Sequence, residues 1–473
     1  MTPYKNELAN SRRKFIRNSA IIGSSFFIVP RHVLGRGFVA PSDKLNIGAI
    51  GAGGKGGSDI SEFSKSPNVN IVALCDVDDR QTVKSREKFP KATYYKDFRE
   101  MLDKEKNNID ACNISTPDHT HAVATLAAMQ LGKHVYTQKP LTHDIYEARM
   151  LTEAAKRYKV VTQMGNQGSS GDGVRKMKEW YKAGLIGDAT AIHVWTNRPV
   201  WPQGIAKPTG KEEVPKELNW DLWLGTAKWE EYHEALLPFN WRGFWTFGTG
   251  ALGDMGCHLI DPAFNTVGLG YPSEVECSVV DFYEKMWTPV YHPESAPPSS
   301  SLKFKFPGQN GKKDVFLYWT DGGILPERPA ELGADEAMGN GDGGCIITGT
   351  KGKIMCNCYG ANPTLLPTSK TKDIKVKETL ARVPEGHYIQ WVNACMAGYG
   401  KNELSSPFSY AGPLTETFLM GNLALRAWNI KEGNKFTGRK KLLWDAQNMK
   451  VTNYDAANEF VKREYRDGWK LSF

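Results

Sequence analysis

The chain lacks any stretch approaching the roughly 20 apolar residues that a membrane-crossing helix needs, which excludes a helical span. It also lacks a basic body. The net charge is +8, but seven basic residues (Lys5, Arg12, Arg13, Lys14, Arg17, Arg31, Arg36) and one acid, Glu7, precede residue 37. That segment carries +6 and leaves about +2 for the rest, so an extended phosphate-binding surface, and with it a nucleic-acid partner, is not expected. Cysteines at zinc-site spacing are missing too. Cys356 and Cys358 stand one residue apart with no second pair to complete a site, so no metal centre is expected. Cys75 and Cys112 fall in apolar runs, where a thiol behaves as a small hydrophobe. There is no internal repeat and no long low-complexity tract. What is present is an ordinary globular composition, 40% hydrophobic and 24% charged, over 473 residues, which is room for two or three domains.

The first patterned segment is Ser11-Arg12-Arg13-Lys14-Phe15-Ile16-Arg17. It resembles the twin-arginine export motif. Residues 20–29 follow as a modest apolar stretch interrupted by Gly23, Ser24 and Ser25. A basic start, a short apolar run and a polar exit make the order of a signal peptide. The resemblance implies that residues 1–36 are a signal and linker, that the twin-arginine translocase is a partner, and that the protein is periplasmic, exported already folded.

From residue 45 short apolar runs alternate with amphipathic segments. The pattern predicts strands at 45–50, 70–75, 109–114, 134–138 and 160–164, with helices at 58–64, 79–88, 119–131 and 143–158. Continuous apolar strands separated by helices indicate an α/β domain, a doubly wound parallel sheet over residues 44–168. After about residue 185 the runs become β-branched and aromatic, at 189–197, 275–282, 302–306, 315–320, 345–348 and 353–358. These predict a C-terminal α+β domain over 169–473, with a large, mostly antiparallel open sheet. Its Pro- and Gly-rich loops at 292–300 and 326–344 are long enough to be functional or mobile. Two helical patterns, near 387–397 and 413–429, close the chain and could pack back on the first domain.

Gly51, Gly53 and Gly56 form G-x-G-x-x-G between a predicted strand and a predicted helix, with Gly54 and Lys55 inside the turn. The first glycine permits the tight turn, the second lets backbone approach a pyrophosphate, and the third lets helix pack on strand. Asp76 ends the next strand 20 residues after Gly56, where a carboxylate meets the adenosine ribose hydroxyls and repels a 2′-phosphate. The two halves in register predict a Rossmann domain that binds NAD rather than NADP, with Arg80 the one nearby cation that argues for a phosphate.

Three further segments carry a family resemblance. Ser115-Thr116-Pro117-Asp118-His119-Thr120-His121 follows the strand at 109–114, and Gln138-Lys139-Pro140 with Leu141-Thr142-His143 follows 134–138. Gly250-Ala251-Leu252-Gly253-Asp254-Met255-Gly256-Cys257-His258 lies in the second domain. With the glycine fingerprint these resemble the glucose–fructose oxidoreductase and inositol dehydrogenase family, Gfo/Idh/MocA, from about residue 44 to the C-terminus. Residues 219–226 and 410–422 resemble its exported, twin-arginine branch. The resemblance implies that Lys139, matching the lysine of the family's E-K-P motif, sits beside the nicotinamide and hydrogen-bonds the reacting hydroxyl. An ammonium there lowers the pKa of an alcohol that must lose a proton as hydride leaves. Gln138 departs from the family glutamate and removes one carboxylate near Lys139. Asp254 and His258 are four residues apart, so if Gly253 opens a helix both project from one face, about 5–6 Å apart. On spacing alone the pair fits an N-cap aspartate and a structural histidine better. The resemblance implies instead substrate contacts, with His258 as general acid/base. Ser115, Thr116, His121 and Gln138 join the fingerprint residues as implied cofactor contacts, His121 either under the nicotinamide or orienting its loop.

Seven of the fourteen tryptophans fall between Trp195 and Trp245. Indole faces stack on the C–H faces of sugars and the N–H adds a donor. Trp241 and Trp245, nearest in sequence to Asp254, are the candidate substrate contacts, with Asn166 and Gln167 as polar ones. The family implies an NAD-dependent oxidoreductase acting on a hydroxyl of a sugar or glycoside, assembled as a dimer or tetramer. Export implies that NAD is loaded before translocation, held tightly and recycled in place. A redox-neutral NAD-dependent glycosidase or lyase, working by oxidation, elimination, hydration and re-reduction, needs nearly the same residues. A sugar-binding protein without catalysis is disfavoured by Lys139, Asp254 and His258 all being present.

Overall fold

The computed structural model describes residues 43–308 and 311–472. The twin-arginine motif at 11–17 and the apolar stretch at 20–29 lie outside the described residues.

The alternating pattern after residue 44 folds as β1 (Leu45–Ile50), α1 (Gly54–Phe63), β2 (Val69–Cys75), α2 (Asp79–Lys88), β3 (Thr93–Tyr95), α3 (Phe98–Lys104), β4 (Ala111–Ile114), α4 (His121–Gln130), β5 (His134–Thr137), α5 (Ile145–Tyr158) and β6 (Thr162–Met164). The strands form one sheet in the order β3-β2-β1-β4-β5-β6, every pair parallel. The chain winds outward from β1 to β3 and then returns to β4. The crevice therefore opens at the carboxyl ends of β1 and β4, where a doubly wound sheet binds its ligand. Side chains cap three of the flanking helices: Asp78 caps α2, Asp97 caps α3, and Asp144 caps α5 in a reciprocal capping box with Glu147. α1 is different. It begins after Gly53 with no side-chain cap, so its first N–H groups remain free to face the crevice. Neither β3 nor α3 is predicted from the sequence, because a three-residue edge strand carries too little apolar periodicity to register.

The second part runs through α6 (Asp172–Lys182), β7 (Ala189–Thr196), α7 (Trp220–Leu224), α8 (Gly250–Leu259), α9 (Asp261–Val267), β8 (Glu274–Val279), a hairpin of β9 (Tyr283–Lys285) and β10 (Thr288–Pro289), β11 (Ser300–Phe306), β12 (Val315–Thr320), β13 (Gly343–Gly349), β14 (Lys353–Asn357) and β15 (Thr364–Leu366). It ends with α10 (Gly386–Ala397), α11 (Phe408–Ala427), a hairpin of β16 (Lys431–Glu432) and β17 (Lys435–Phe436), β18 (Leu442–Asp445) and β19 (Lys450–Val451). Nine strands pair in the order β15-β14-β13-β7-β12-β11-β8-β18-β19. Only β7 and β12 run parallel; the other pairs are antiparallel. In β11 and β12 buried residues alternate with half-exposed ones, as one covered face requires. α8 and α11 supply the cover: Leu252, Met255, Leu414 and Phe418 share a core with Leu302, Phe304, Leu317 and Trp319.

Two helix starts differ from expectation. α11 begins at Phe408 and keeps Pro413 inside, rather than starting at Pro413. Its first turn is anchored from outside the helix, by the Thr162 hydroxyl accepting from Phe408 N–H at 3.0 Å and by the Tyr410 hydroxyl donating to Asp261. α8 begins at Gly250, so Gly253 lies within it. α10 returns to the first sheet, where Trp391 and Val392 pack with Leu45, Ile47 and Phe63.

Candidate active site

A cavity of about 620 Å³ opens at the carboxyl ends of β1 and β4 and extends to α8. Its first half is the turn after β1. Gly51 has φ +79, a conformation L side chains rarely adopt, and a Cβ there would meet the Ser115 carbonyl oxygen at 2.6 Å. Gly56 does not line the cavity. A Cβ on it would strike the carbonyl oxygen of Gly51, so its task is to let α1 pack on the turn. Gly51, Gly53, Gly54 and Lys55 line the wall, with Ser115 and Thr116 opposite.

Asp76 also lines this half. It accepts from Gly53 N–H at 2.9 Å and from Asp78 N–H at 3.0 Å. Burial pushes its carboxyl up to about 6, against the lowering effect of those two donors. Arg80, the cation that argued for NADP, is turned away. Its guanidinium grips Asp78 at 2.8 and 2.7 Å, and it does not line the cavity. An uncapped helix end, a turn open to close backbone approach and a ribose-facing acid free of a competing arginine fit NAD. Leu222, Trp223 and Trp469 line the cavity from distant parts of the chain.

The other half gathers Lys139, Asp254 and His258. Lys139 Nζ donates to the Asp254 carboxylate at 2.7 Å and to its backbone carbonyl at 2.9 Å. Burial works against the Lys139 charge, but Asp254 outweighs it and holds the ammonium above its usual value. Burial likewise opposes the Asp254 carboxylate, and Lys139 with Arg242 holds it below the usual range. The pair is therefore ionised. His258 is the reverse case. Burial, reinforced by Lys139, holds its imidazole well below its usual value, with Asp254 opposing, so the ring is neutral. Its ring packs edge-on against Tyr359 at 4.7 Å, and its Nδ1 has no hydrogen-bond partner. A fixed ammonium beside an uncharged imidazole can hold a hydroxyl and take its proton. The loop after β4 is tied to this end as well: Thr249, at the start of α8, donates to the buried Asp118 carboxylate at 2.7 Å.

Three expected contacts are corrected. His121 does not reach the cavity. Its two ring nitrogens lie 2.7 Å from the carbonyls of Pro140 and Thr116, so it braces the Ser115 loop against the Lys139 loop. Asn166 is fully buried behind the cavity wall, and only Gln167 lines it, held by the hydroxyls of Tyr136 and Tyr388 at 3.2 and 3.0 Å. Trp245 does not line the cavity; it lines a separate small pocket with His143, Thr249 and Leu419. Trp241 does line the cavity, its N–H on the Pro238 carbonyl at 3.0 Å. The aromatic residues beside it are Trp201, Phe239 and Tyr359, none singled out from the sequence. Arg198 and Arg242 were also missed. Arg242 stacks over Phe239 at 4.0 Å and Trp241 at 4.3 Å, and its Nε lies 3.7 Å from Asp254. An arginine between two aromatics is the one signal that pointed to it.

Two models of the Gfo/Idh/MocA oxidoreductases match the chain, the NAD-binding Rossmann fold over residues 45–166 and the C-terminal alpha/beta domain over residues 172–282. A glycosyl hydrolase family 109 protein of Solibacter usitatus is 31% identical over 164 residues, 32% of this chain and 36% of that protein. A myo-inositol 2-dehydrogenase of Thermotoga maritima is 25% identical over 158 residues, 33% of this chain and 47% of that protein. These matches span between a third and a half of the relatives' own length. Among solved structures, a levoglucosan dehydrogenase in complex with NADH and levoglucosan shares the fold at a TM-score of 0.53 and 17% identity, over 81% of this chain and 98% of that one.

Proposed function

The chain belongs to the Gfo/Idh/MocA oxidoreductase family, and on that premise we propose that it oxidises a hydroxyl of a sugar or glycoside with a tightly held NAD that is regenerated in place. The observation that carries this reading is the convergence of Lys139, Asp254 and His258 on one cavity with the glycine turn and Asp76. When bound, NAD supplies the acceptor for hydride. Lys139 holds the substrate hydroxyl and favours its loss of a proton. Asp254 fixes Lys139 and keeps it charged, and the neutral His258 receives the proton. Trp201, Trp241 and Tyr359 offer aromatic faces to the ring of the substrate.

Retention of the cofactor is supported by the cavity's own lining. Trp469, from the last residues of the chain, closes the wall near Asp97 and Phe98, and Arg99 stacks on its indole at 4.5 Å. The twin-arginine motif at 11–17 supports export of the folded, loaded protein to the periplasm. The open face of the nine-stranded sheet supports assembly as a dimer or tetramer.

A redox-neutral glycosidase is the second reading, favoured by the likeness to a glycosyl hydrolase family 109 protein. One experiment separates the two and tests both. The purified protein is passed through gel filtration and incubated with a panel of glycosides without added cofactor. Keto-sugar accumulating with reduced cofactor on the protein supports the oxidoreductase. Released aglycone without net redox change supports the glycosidase. A protein that emerges free of NAD and turns over only when NAD is added overturns the in-place cycle.

A further inference from the structure

Asp59 lies at the centre of a hydrogen-bonded cluster that none of the assigned roles explains. It projects from α1 and is fully buried. Ser115 Oγ and Gln138 Nε2 each donate to its Oδ2 at 2.8 Å. The Tyr388 hydroxyl, from α10, donates to its Oδ1 at 3.0 Å, and Lys55 pairs with the same oxygen. Four donors thus arrive from α1, the loop after β4, the end of β5 and α10. A carboxylate at this depth is tolerated only when its charge is met and its lone pairs are filled. The cluster is built around an anion at position 59.

Gln138 is the neighbour whose identity this decides. One end of its amide donates to Asp59, and the other accepts from Lys139 N–H at 3.3 Å. Gly165 packs flat on the same amide, where an added Cβ would lie 2.7 Å from its Cδ. The amide is therefore held in one orientation, directly beside the residue that carries Nζ into the cavity. A glutamate at 138 would place two carboxylates in contact, and one of them would have to hold a proton.

We propose that in this chain Asp59 carries the fixed negative charge of this cluster, with Gln138 as its neutral partner, and that the pair positions Lys139. The proposal deepens the reading of Lys139 as the group at the reacting hydroxyl and rests on it. It accounts for Gln138-Lys139-Pro140 standing where the resemblance leads one to expect E-K-P: with one carboxylate supplied from α1, a second ionised acid cannot share the contact. The other titratable groups around the pair are Lys55 on α1, Tyr136 on β5, Lys139 after β5, and His387 and Tyr388 on α10.

The test is a reciprocal exchange in the full chain: Gln138→Glu, Asp59→Asn, and the two together. Each variant is followed by NAD affinity from tryptophan fluorescence, by Tm, and by the pH profile of turnover. Gln138→Glu should bind NAD normally at low pH and weaken by up to about tenfold per pH unit once the shared proton is lost, where the wild type shows no such step. Asp59→Asn should lose roughly tenfold in NAD affinity and turnover, with no new pH dependence. The double exchange restores one acid and one amide. It should exceed the product of the two single effects by about tenfold or more, with the new pH step gone. A double variant no better than that product, or a Gln138→Glu variant with the wild-type pH profile, overturns the proposal. Affinity and its pH dependence need no substrate. A Lys139→Ala variant with full activity would remove the reading of the reacting centre and leave these measurements standing.

Discussion

The two halves of the cavity are built in different ways. Most of the cofactor half comes from one stretch of the chain: Gly51, Gly53, Gly54, Lys55 and Asp76 lie in the turn after β1, the start of α1 and the end of β2, with Ser115 and Thr116 opposite. The substrate half is assembled from Lys139, Arg198, Trp201, Trp241, Arg242, Asp254, His258 and Tyr359, which come from five separate stretches of the chain. The contrast reflects what each half must recognise. A pyrophosphate is met by backbone N–H groups and a turn, and such geometry is local. A polyol is met by side chains pointing inward from all around it, and only the tertiary fold makes them converge.

The comparison breaks most sharply at Lys139. Lys139→Ala should lower kcat by roughly 10²–10³-fold, while NAD affinity from fluorescence titration stays within about threefold. Comparable losses in both would show that the halves are not separable. Gly56→Ala attacks the other side. Its Cβ meets the Gly51 carbonyl, so the turn must shift, at a cost of about 1–3 kcal/mol in unfolding free energy and with loss of NAD binding. Unchanged Tm and affinity would deny the packing role.

A smaller effect follows from pH. The folded value of Asp76, about 6, lies above its ordinary 3.8. In the unliganded protein this group therefore adds stability at low pH, and that contribution is lost as pH rises through about 6. Cofactor binding has the opposite sign. The ribose hydroxyls require the ionised carboxylate, so NAD affinity should weaken below about pH 6, by at most about tenfold per unit. An affinity that is flat from pH 5 to 8, or about that range, would remove Asp76 from the ribose contact.

The smallest effects sharpen the boundary of the substrate half. Trp241→Phe loses the N–H bond to Pro238 and part of the Arg242 stack, so KM should rise about three- to tenfold. Trp245→Phe should leave kcat/KM within about twofold, because that indole does not line the cavity and its N–H has no partner. Equal effects at the two positions would contradict the placement of Trp245.

Where sequence reasoning succeeded and failed follows the same division. The strands from β1 to β6 were legible wherever an apolar run was long enough, and the three-residue β3 was not. Helical spacing puts Asp254 and His258 on one face, but on spacing alone they fitted a cap and a structural histidine, and only the family resemblance pointed to the site. Their partner Lys139, 115 residues away, became a partner only through the fold. Trp245 was misplaced for a related reason. It is four residues from Trp241, but Trp241 sits in the turn Asn240–Gly243 and the backbone is extended at Phe244, and the two indoles line separate pockets. His121 opens the helix after β4 and Asn166 follows β6, both on the side where ligands often bind, yet one braces two loops and the other is fully buried and does not line the cavity.

The sequence by itself determined the doubly wound domain and its NAD-binding turn, because period, turn chemistry and spacing are properties of short segments. The tertiary structure alone decided which aromatic residues line the cavity and that Arg80 is occupied by Asp78. It alone also brought the Gln138 amide against the buried Asp59 carboxylate, at 2.8 Å. Those outcomes depend on which distant segments meet, and close packing permits only one answer at each contact.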